Sequence, residues 1–170
     1  MIDDVMDDFV NEWAAEWPGL DASHLETIGR IWRISEHLRR EFDKGLKPLG
    51  LTWESFDLLA SLRRSGKPYR MRPSELNAAC LLTSGAMTNR LNQVERLGLI
   101  ERLSDPTDRR AIQVALTPEG LALAEKAIDV QFSAARELLR SLPPSEKDTL
   151  APILRRILAT FEPARDASAS

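Results

Sequence analysis

Residues 82–117 constrain the fold of this chain more than any other stretch. Thr83 is a favourable helix N-cap and Gly98 a typical helix stop, so the segment between them is predicted to be helical. A short apolar strand follows, and then a charged turn at 105–110. The return strand is predicted from alternation, since its apolar residues occupy every second position at Ile112, Val114 and Leu116. The predicted order is therefore helix, strand, turn, strand.

A helix followed by a β-hairpin is the arrangement of a winged helix-turn-helix, which inserts a helix into the DNA major groove. The charge distribution favours the same interpretation. The net charge of the chain is −3, yet residues 63–110 contain ten Lys or Arg against five Asp or Glu. A basic segment inside an acidic chain is the footprint expected of a nucleic-acid-binding face. The competing interpretation is an ordinary solvated surface.

Further helices are predicted before the hairpin. An acidic helix is expected over residues 3–17 and a long one over 22–44, where apolar residues recur at helical spacing. Thr52 is a suitable N-cap for a helix that ends at Arg64. The next helix is short and has Pro73 at its first position, where proline is favoured because its missing N–H has no partner there.

Two helices are expected after the hairpin. The first runs over 117–142, and the second is capped by Ser145 with Asp148 and ends near Phe161. Both carry apolar stripes that a compact DNA-binding unit cannot cover. A second copy of the chain is the most economical partner for these stripes, and a homodimer also suits a palindromic operator in double-stranded DNA.

The predicted fold class is therefore mainly α with a small β-wing. It comprises a winged helix-turn-helix plus N- and C-terminal dimerisation helices. The expected division is an N-terminal extension and dimerisation helix at 1–50, the DNA-binding region at 51–117, the C-terminal dimerisation helices at 118–162, and a flexible tail at 163–170.

The helix ending at Gly98 offers side chains that suit DNA recognition. At about 100° per residue, the row of Met87, Leu91 and Val94 faces inward, and short or amide side chains occupy the opposite face. Amides pair with adenine, hydroxyls bind phosphate, and arginines of a wing enter the minor groove. The predicted DNA-binding residues are Ser74, Ser84, Thr88, Asn89, Gln93, Arg109 and Arg110.

Arg90 differs from these residues. It falls only about 60° from the inward row, so it should flank the core and not face the groove. A half-buried guanidinium needs an anion, which is either a carboxylate of the protein or an acidic ligand. Its stem can also lie along apolar surface with the charge in water. The sequence leaves these three possibilities open.

The sequence contains no motif that predicts an enzyme, a metal site or a cofactor. His24 and His37 have no ligand-like residues around them, and no cofactor is expected. A single cysteine, Cys80, excludes an internal disulfide, is interpreted as a small buried hydrophobe, and suits a reducing cytoplasm. No apolar run approaches the roughly 20 residues that span a membrane.

Three motifs together resemble the MarR family of winged-helix regulators. They are residues 84–91, residues 98–102 with Glu95 before them, and the turn 105–110. The resemblance covers about residues 25–160. It implies a dimer, often an autorepressor, that releases its operator when a small phenolic or related anion binds between the DNA-binding lobe and the dimer helices.

Residues 12–23 and 56–64 resemble the urate-responsive branch of that family, the PecS, HucR and MftR proteins. This branch has an extra N-terminal helix and a ligand signature of one Trp, one Asp and two Arg. Carried over, the signature implies that Trp13, Asp57, Arg90 and Arg102 bind the effector. The Trp and the first Arg would hold urate, the Asp would pair with that Arg or be displaced, and the second Arg would connect the ligand to the DNA helices.

Two assignments within this signature have competing interpretations. Trp17 is an alternative to Trp13, because both precede Pro18 by a few residues. Asp57 shares the polar side of its helix with Glu54 and Arg64, which predicts a surface position. The alternative function is a constitutive, phenolic-ligand or redox-sensing regulator of the same family that does not bind urate.

Overall fold

The computed structural model describes residues 3–80, 87–105 and 111–162. Within them the element order is α1 Val5–Glu16, α2 Leu25–Leu46, α3 Trp53–Arg64, β1 Arg70–Met71, α4 Pro73–Ala79, α5 Met87–Arg96, β2 Ile100–Ser104, β3 Ile112–Leu116, α6 Pro118–Leu138 and α7 Pro144–Leu158. The predicted class, mainly α with a small β-wing, is confirmed. The Thr83 cap and the predicted flexible tail at 163–170 lie outside the described residues.

The wing is an antiparallel sheet with the strand order β1-β3-β2. The β2–β3 hairpin pairs Ile100 with Leu116 and Ser104 with Ile112. The return strand is present where it was predicted, but burial does not alternate along it, since Ile112 is 50% exposed and the adjacent Val114 and Ala115 are both buried. Strand β1 adds to the other edge of β3, where Arg70 pairs with Ala115. Strand β1 was not predicted, because a two-residue strand is too short to display alternation.

The hydrophobic core forms around α3. Leu58, Leu59 and Leu62 of this helix are fully buried. The inward row predicted on α5 is confirmed, since Met87, Leu91 and Val94 are all buried in the same cluster. Strand β3 and the first turns of α6 complete the cluster with Val114, Ala124 and Ala127.

Contacts divide the chain into two compact units, Met1–Phe132 and Ser133–Ser170. The first contains α1 to α5, the sheet and most of α6, and the second contains the end of α6 and all of α7. Among the described residues, no helix is both long and apolar enough to cross a lipid bilayer.

Two of the predicted helix caps are confirmed by hydrogen bonds. The Thr52 hydroxyl accepts from the Ser55 N–H at 3.2 Å, and the Thr117 hydroxyl accepts from the Gly120 N–H at 3.0 Å. The predicted cap at Ser145 is wrong. Helix α7 already begins at Pro144, because a proline fits the first turn, and Pro143 occupies the cap position. Helices α6 and α7 also end earlier than predicted, at Leu138 and Leu158.

Helix α1 packs on α2 through a buried apolar contact and through two ion pairs of one arginine. Met6 is buried against Gly29, where a Cβ would overlap the Met6 sulfur. Arg30 forms ion pairs with Asp4 at 2.9 Å and with Asp7 at 2.7 Å. The Arg30 guanidinium is the main cause of the lowered pKa of Asp4. The Asp7 pKa is also lowered, first by the backbone N–H of Asp4 and then by Arg30.

We predict that Gly120→Ala destabilises the protein. Alanine normally favours a helix over glycine by about 1 kcal/mol, but a Cβ at position 120 would overlap the carbonyl oxygen of Leu99. Since backbone cannot move aside cheaply, the free energy of unfolding should fall by about 1–3 kcal/mol, as for other overpacked sites. Urea denaturation at fixed protein concentration measures this. Gly19→Ala is the control, because a Cβ there contacts nothing; a stabilised Gly120→Ala protein would contradict the packing.

Candidate functional site

The outer face of α5 presents polar side chains to solvent. Thr88, Asn89 and Gln93 are exposed, on the side opposite the buried row. They belong to a groove of about 550 Å³ that is lined by Asn89, Asn92, Gln93, Glu95 and Arg96. Ser74 is exposed near the start of α4. The outward orientation agrees with the sequence-based expectation, while Ser84, Arg109 and Arg110 lie outside the described residues.

Arg102 connects the hairpin to α5. Its Nη2 donates to Asn92 Oδ1 at 2.6 Å, and its Nη1 pairs with Glu95 Oε2 at 3.1 Å. The side chain of Asn92 is therefore oriented by a residue of β2. Its position on the helical wheel predicts only that it is exposed. The sequence contains no local signal for this contact, because ten residues and a helix stop separate the two partners.

Asp57 is buried, with 5% of its surface exposed, so the predicted surface position is wrong. The helical-wheel argument failed because α3 is covered on most of its circumference. Seven of its twelve residues are buried: Ser55, Phe56, Asp57, Leu58, Leu59, Ser61 and Leu62. A helix enclosed in this way has no wholly solvent-facing side to which an acidic residue can be assigned.

A cavity of about 630 Å³ lies beside Asp57, between α3 and α6. Its lining combines aromatic, aliphatic and charged groups from Trp53, Phe56, Asp57, Ala60, Arg63, Arg64, Glu125, Ile128, Asp129 and Phe132. Arg63 is held by Glu125 at 2.9 Å and lies over the Tyr69 ring. Arg64 donates to the Ala79 carbonyl at 2.8 Å. Apolar walls with fixed guanidinium groups can accommodate a planar anion.

Arg90 is half-buried, as its angle from the inward row predicts. Its positive charge contributes to the lowered pKa of Glu54, although the Glu54 backbone N–H is the largest cause. Burial raises the pKa of the Cys80 thiol, and the charge of Arg90 opposes that rise. The charge of Arg90 therefore influences groups on α3 and at the end of α4.

The four residues of the ligand signature are distributed over four elements. Asp57 alone among them belongs to the described lining of the cavity. Arg90 flanks the core on α5, and Arg102 holds α5 from β2. Trp13 on α1 is 44% exposed and Trp17 is 61% exposed, so both indoles are accessible in the single chain. Trp13 and Trp17 both stay candidates for the aromatic position.

Comparison with known proteins gives consistent matches. A family model described as "MarR family" matches residues 49–111. The HTH-type transcriptional regulator PecS of Dickeya dadantii is 33% identical over 88% of this chain and 90% of its own length. A mutant MarR from E. coli, complexed with operator DNA, is 29% identical over 79% of this chain and 97% of its own, with a TM-score of 0.67. Sco3205 from Streptomyces coelicolor shares the fold, with 22% identity and a TM-score of 0.76 over 85% of this chain and 91% of its own.

The exposed amides of α5 generate a prediction about sequence discrimination. If they meet base edges, Asn89→Ala or Gln93→Ala should relax the preference at one base pair per half-site by about 1–3 kcal/mol. Selection from a randomised duplex library, followed by titration of single-base variants, measures this preference. Asn11→Ala removes an equally exposed amide on α1 and should change nothing. Unaltered preferences in both α5 variants would mean that this face does not read bases.

Proposed function

The chain belongs to the MarR family of winged helix-turn-helix transcriptional regulators. We propose that it represses transcription, including that of its own gene, and that a small anion releases it from DNA. In this proposal a homodimer binds a palindromic operator, with one α5 in each half-site. Urate or a closely related anion is the effector. The buried carboxylate of Asp57 beside an aromatic cavity is the observation on which the effector proposal rests.

DNA binding by α5 is supported by the composition of its two faces. The inner row of α5 packs into the core, and this packing holds the helix in place. Thr88, Asn89 and Gln93 on the other face are exposed to solvent. Arg109 and Arg110 fall between β2 and β3 in the sequence and, in this proposal, contact the minor groove. The MarR relative whose structure contains operator DNA uses the same family fold.

Homodimer formation is supported by the distribution of exposed apolar residues. Among the described residues, the large exposed hydrophobic side chains outside 51–117 far outnumber those inside it, where only Leu97 and Ile112 occur. The others are on or next to α1, α2, α6 and α7, and include Trp32 at 70% exposed and Phe161 at 78% exposed. Concentrated apolar exposure of this kind is typical of an interface. The segments 1–50 and 118–162 are accordingly proposed as dimerisation regions.

Leu158→Asp combined with Phe161→Asp should convert the dimer to a monomer. Both side chains are exposed in the single chain, so the change leaves the protomer intact but introduces unpaired charge at the proposed interface. Sedimentation velocity distinguishes the two states. Arg155→Asp with Arg156→Asp is the control, because both residues are exposed on α7 and neither belongs to its apolar stripe. A dimer that survives the first double substitution would exclude this face from the interface.

The proposed effector site combines a carboxylate, guanidinium groups and aromatic surface. A carboxylate remains buried only when cations and hydrogen bonds offset its lost hydration. An anion that enters near Asp57 competes with that carboxylate for the surrounding positive charge, of which Arg90 is a part in this proposal. A planar purine anion also gains from stacking on an indole, which Trp13 or Trp17 would provide.

The same arrangement couples the effector to DNA. Arg90 belongs to α5 itself, and Arg102 holds Asn92 and Glu95 of α5 from the hairpin. A ligand that draws either guanidinium toward it therefore changes the position of the DNA-reading helix relative to its partner in the dimer. Such coupling is typically about 1–3 kcal/mol, which is enough to shift operator occupancy several-fold or more.

The redox-sensing alternative is disfavoured by the state of Cys80. The thiol is buried, and its pKa is raised chiefly by burial. Because the thiolate is the reactive form, a raised pKa makes the group a poor sensor at neutral pH. A phenolic effector in the same cavity remains the main alternative to urate, and the titration below includes it.

Arg90→Ala should abolish urate binding while the protein stays dimeric. Isothermal titration of the DNA-free protein with urate is the direct measurement, followed by release of operator DNA in a gel-shift assay. Arg96→Ala is the control, since it removes an exposed arginine from the same helix. Asp57→Asn tests the carboxylate separately.

The outcomes of this titration are distinct. Wild-type protein that binds salicylate but not urate would retain the ligand-responsive regulator and reject the urate assignment. An Arg90→Ala variant that responds to urate like the wild type would remove Arg90 from the site. Protein that holds its operator in millimolar concentrations of both compounds would favour the constitutive alternative.

A further inference from the structure

Asp105, the residue after β2, is a second buried carboxylate, separate from the proposed effector site. Only 1% of its side chain is exposed. Its Oδ2 accepts from Arg72 Nε at 2.9 Å and pairs with Arg72 Nη2 at 2.9 Å. Gln113 of β3 donates to the same oxygen through Nε2 at 3.1 Å. Three nitrogen atoms from two side chains therefore surround one oxygen of the Asp105 carboxylate.

The two ends of this network lie at functionally separate places. Arg72 immediately precedes α4, and its backbone N–H donates to Glu75 Oε2 at 2.8 Å, so it is fixed to the first turn of that helix. The Asp105 N–H donates to the Ala111 carbonyl at 3.0 Å, which joins the two described residues on either side of 106–110. Arg72 therefore links the start of α4 directly to the tip end of the hairpin.

We propose that Arg72, Asp105 and Gln113 form a clamp that positions the wing against α4 for DNA binding. The β2–β3 pairing holds the two strands together, and β1, which leads into α4, pairs with Val114 and Ala115 of β3, but neither pairing includes Asp105 at the outer end of the hairpin. The clamp restrains this outer end. This inference rests on the proposed function, in that it assumes the wing contacts DNA.

Because Asp105 is negatively charged, the direction in which its neutralisation changes the affinity for DNA tests the proposal. A carboxylate within the basic segment repels DNA phosphates, so neutralising it should strengthen binding if electrostatics alone mattered. The clamp predicts the opposite, because Asp105→Asn loses the ionic partner of Arg72 and loosens the wing. Arg72→Met should act like Asp105→Asn, and the double variant should be hardly worse than either single one.

The experiment measures the Kd of the full-length protein for a library-selected operator duplex by fluorescence anisotropy over a salt series. Asp105→Asn and Arg72→Met should each weaken binding at least about fivefold, with the salt slope nearly unchanged. Glu101→Gln neutralises an exposed acid on β2 and is the control, with affinity equal to or slightly above wild type. Thermal melting confirms that each variant is folded, and Arg72→Lys, which keeps the charge but not the two-nitrogen geometry, should give a smaller loss.

Three results would overturn the clamp. Tighter binding by Asp105→Asn would mean that its charge acts only by repulsion. A loss confined to Arg72→Met, with a salt slope reduced by about one, would identify Arg72 as a direct phosphate contact. Lower melting temperatures with unchanged affinity would make the pair purely structural. Arg109→Ala tests separately the assumption that the wing contacts DNA. Unchanged affinity in that variant would mean that the wing does not contribute to DNA binding.

Discussion

The enclosure of α3 is the constraint on which the first compact unit depends. This helix contacts α2, α4, α5 and β3, and its leucines are inaccessible to solvent. The inner row of α5 packs into the same cluster, so the exposed face of α5 is oriented by contacts made on its other side. A core built around one central helix therefore determines where the polar side chains of α5 point.

Three arginines form side-chain contacts between separate elements. Arg30 joins α1 to α2, Arg102 joins the hairpin to α5, and Arg72 joins the start of α4 to the hairpin. The Arg30 guanidinium pairs with two carboxylates, and that of Arg102 contacts an amide and a carboxylate. The Arg72 guanidinium contacts one carboxylate oxygen through two of its nitrogens. Contacts through two atoms or two partners fix geometry better than a single point charge would.

Much of the fold was predictable from local rules. The caps at Thr52 and Thr117, the stop at Gly98 and the position of β3 depend on residues close in sequence, and all four are present. Two local predictions failed for local reasons: β1 is too short to alternate, and Pro144 starts α7 before Ser145 can cap it. The half-buried position of Arg90 followed from its angle on the helix alone. The buried position of Asp57 could not be predicted in this way, since a helical wheel assumes that one side of the helix faces water.

Periodicity and side-chain type are enough to derive the order of the elements, the inward and outward faces of α5 and the basic segment that indicates DNA binding. The burial of Asp57 beside a cavity, the contact of Arg102 with Asn92, and the pairing of Asp105 with Arg72 across 33 residues became visible only in the folded protein. Those contacts join residues distant in the chain. Their energies depend on burial and on distances that exist only once the helices have packed around α3.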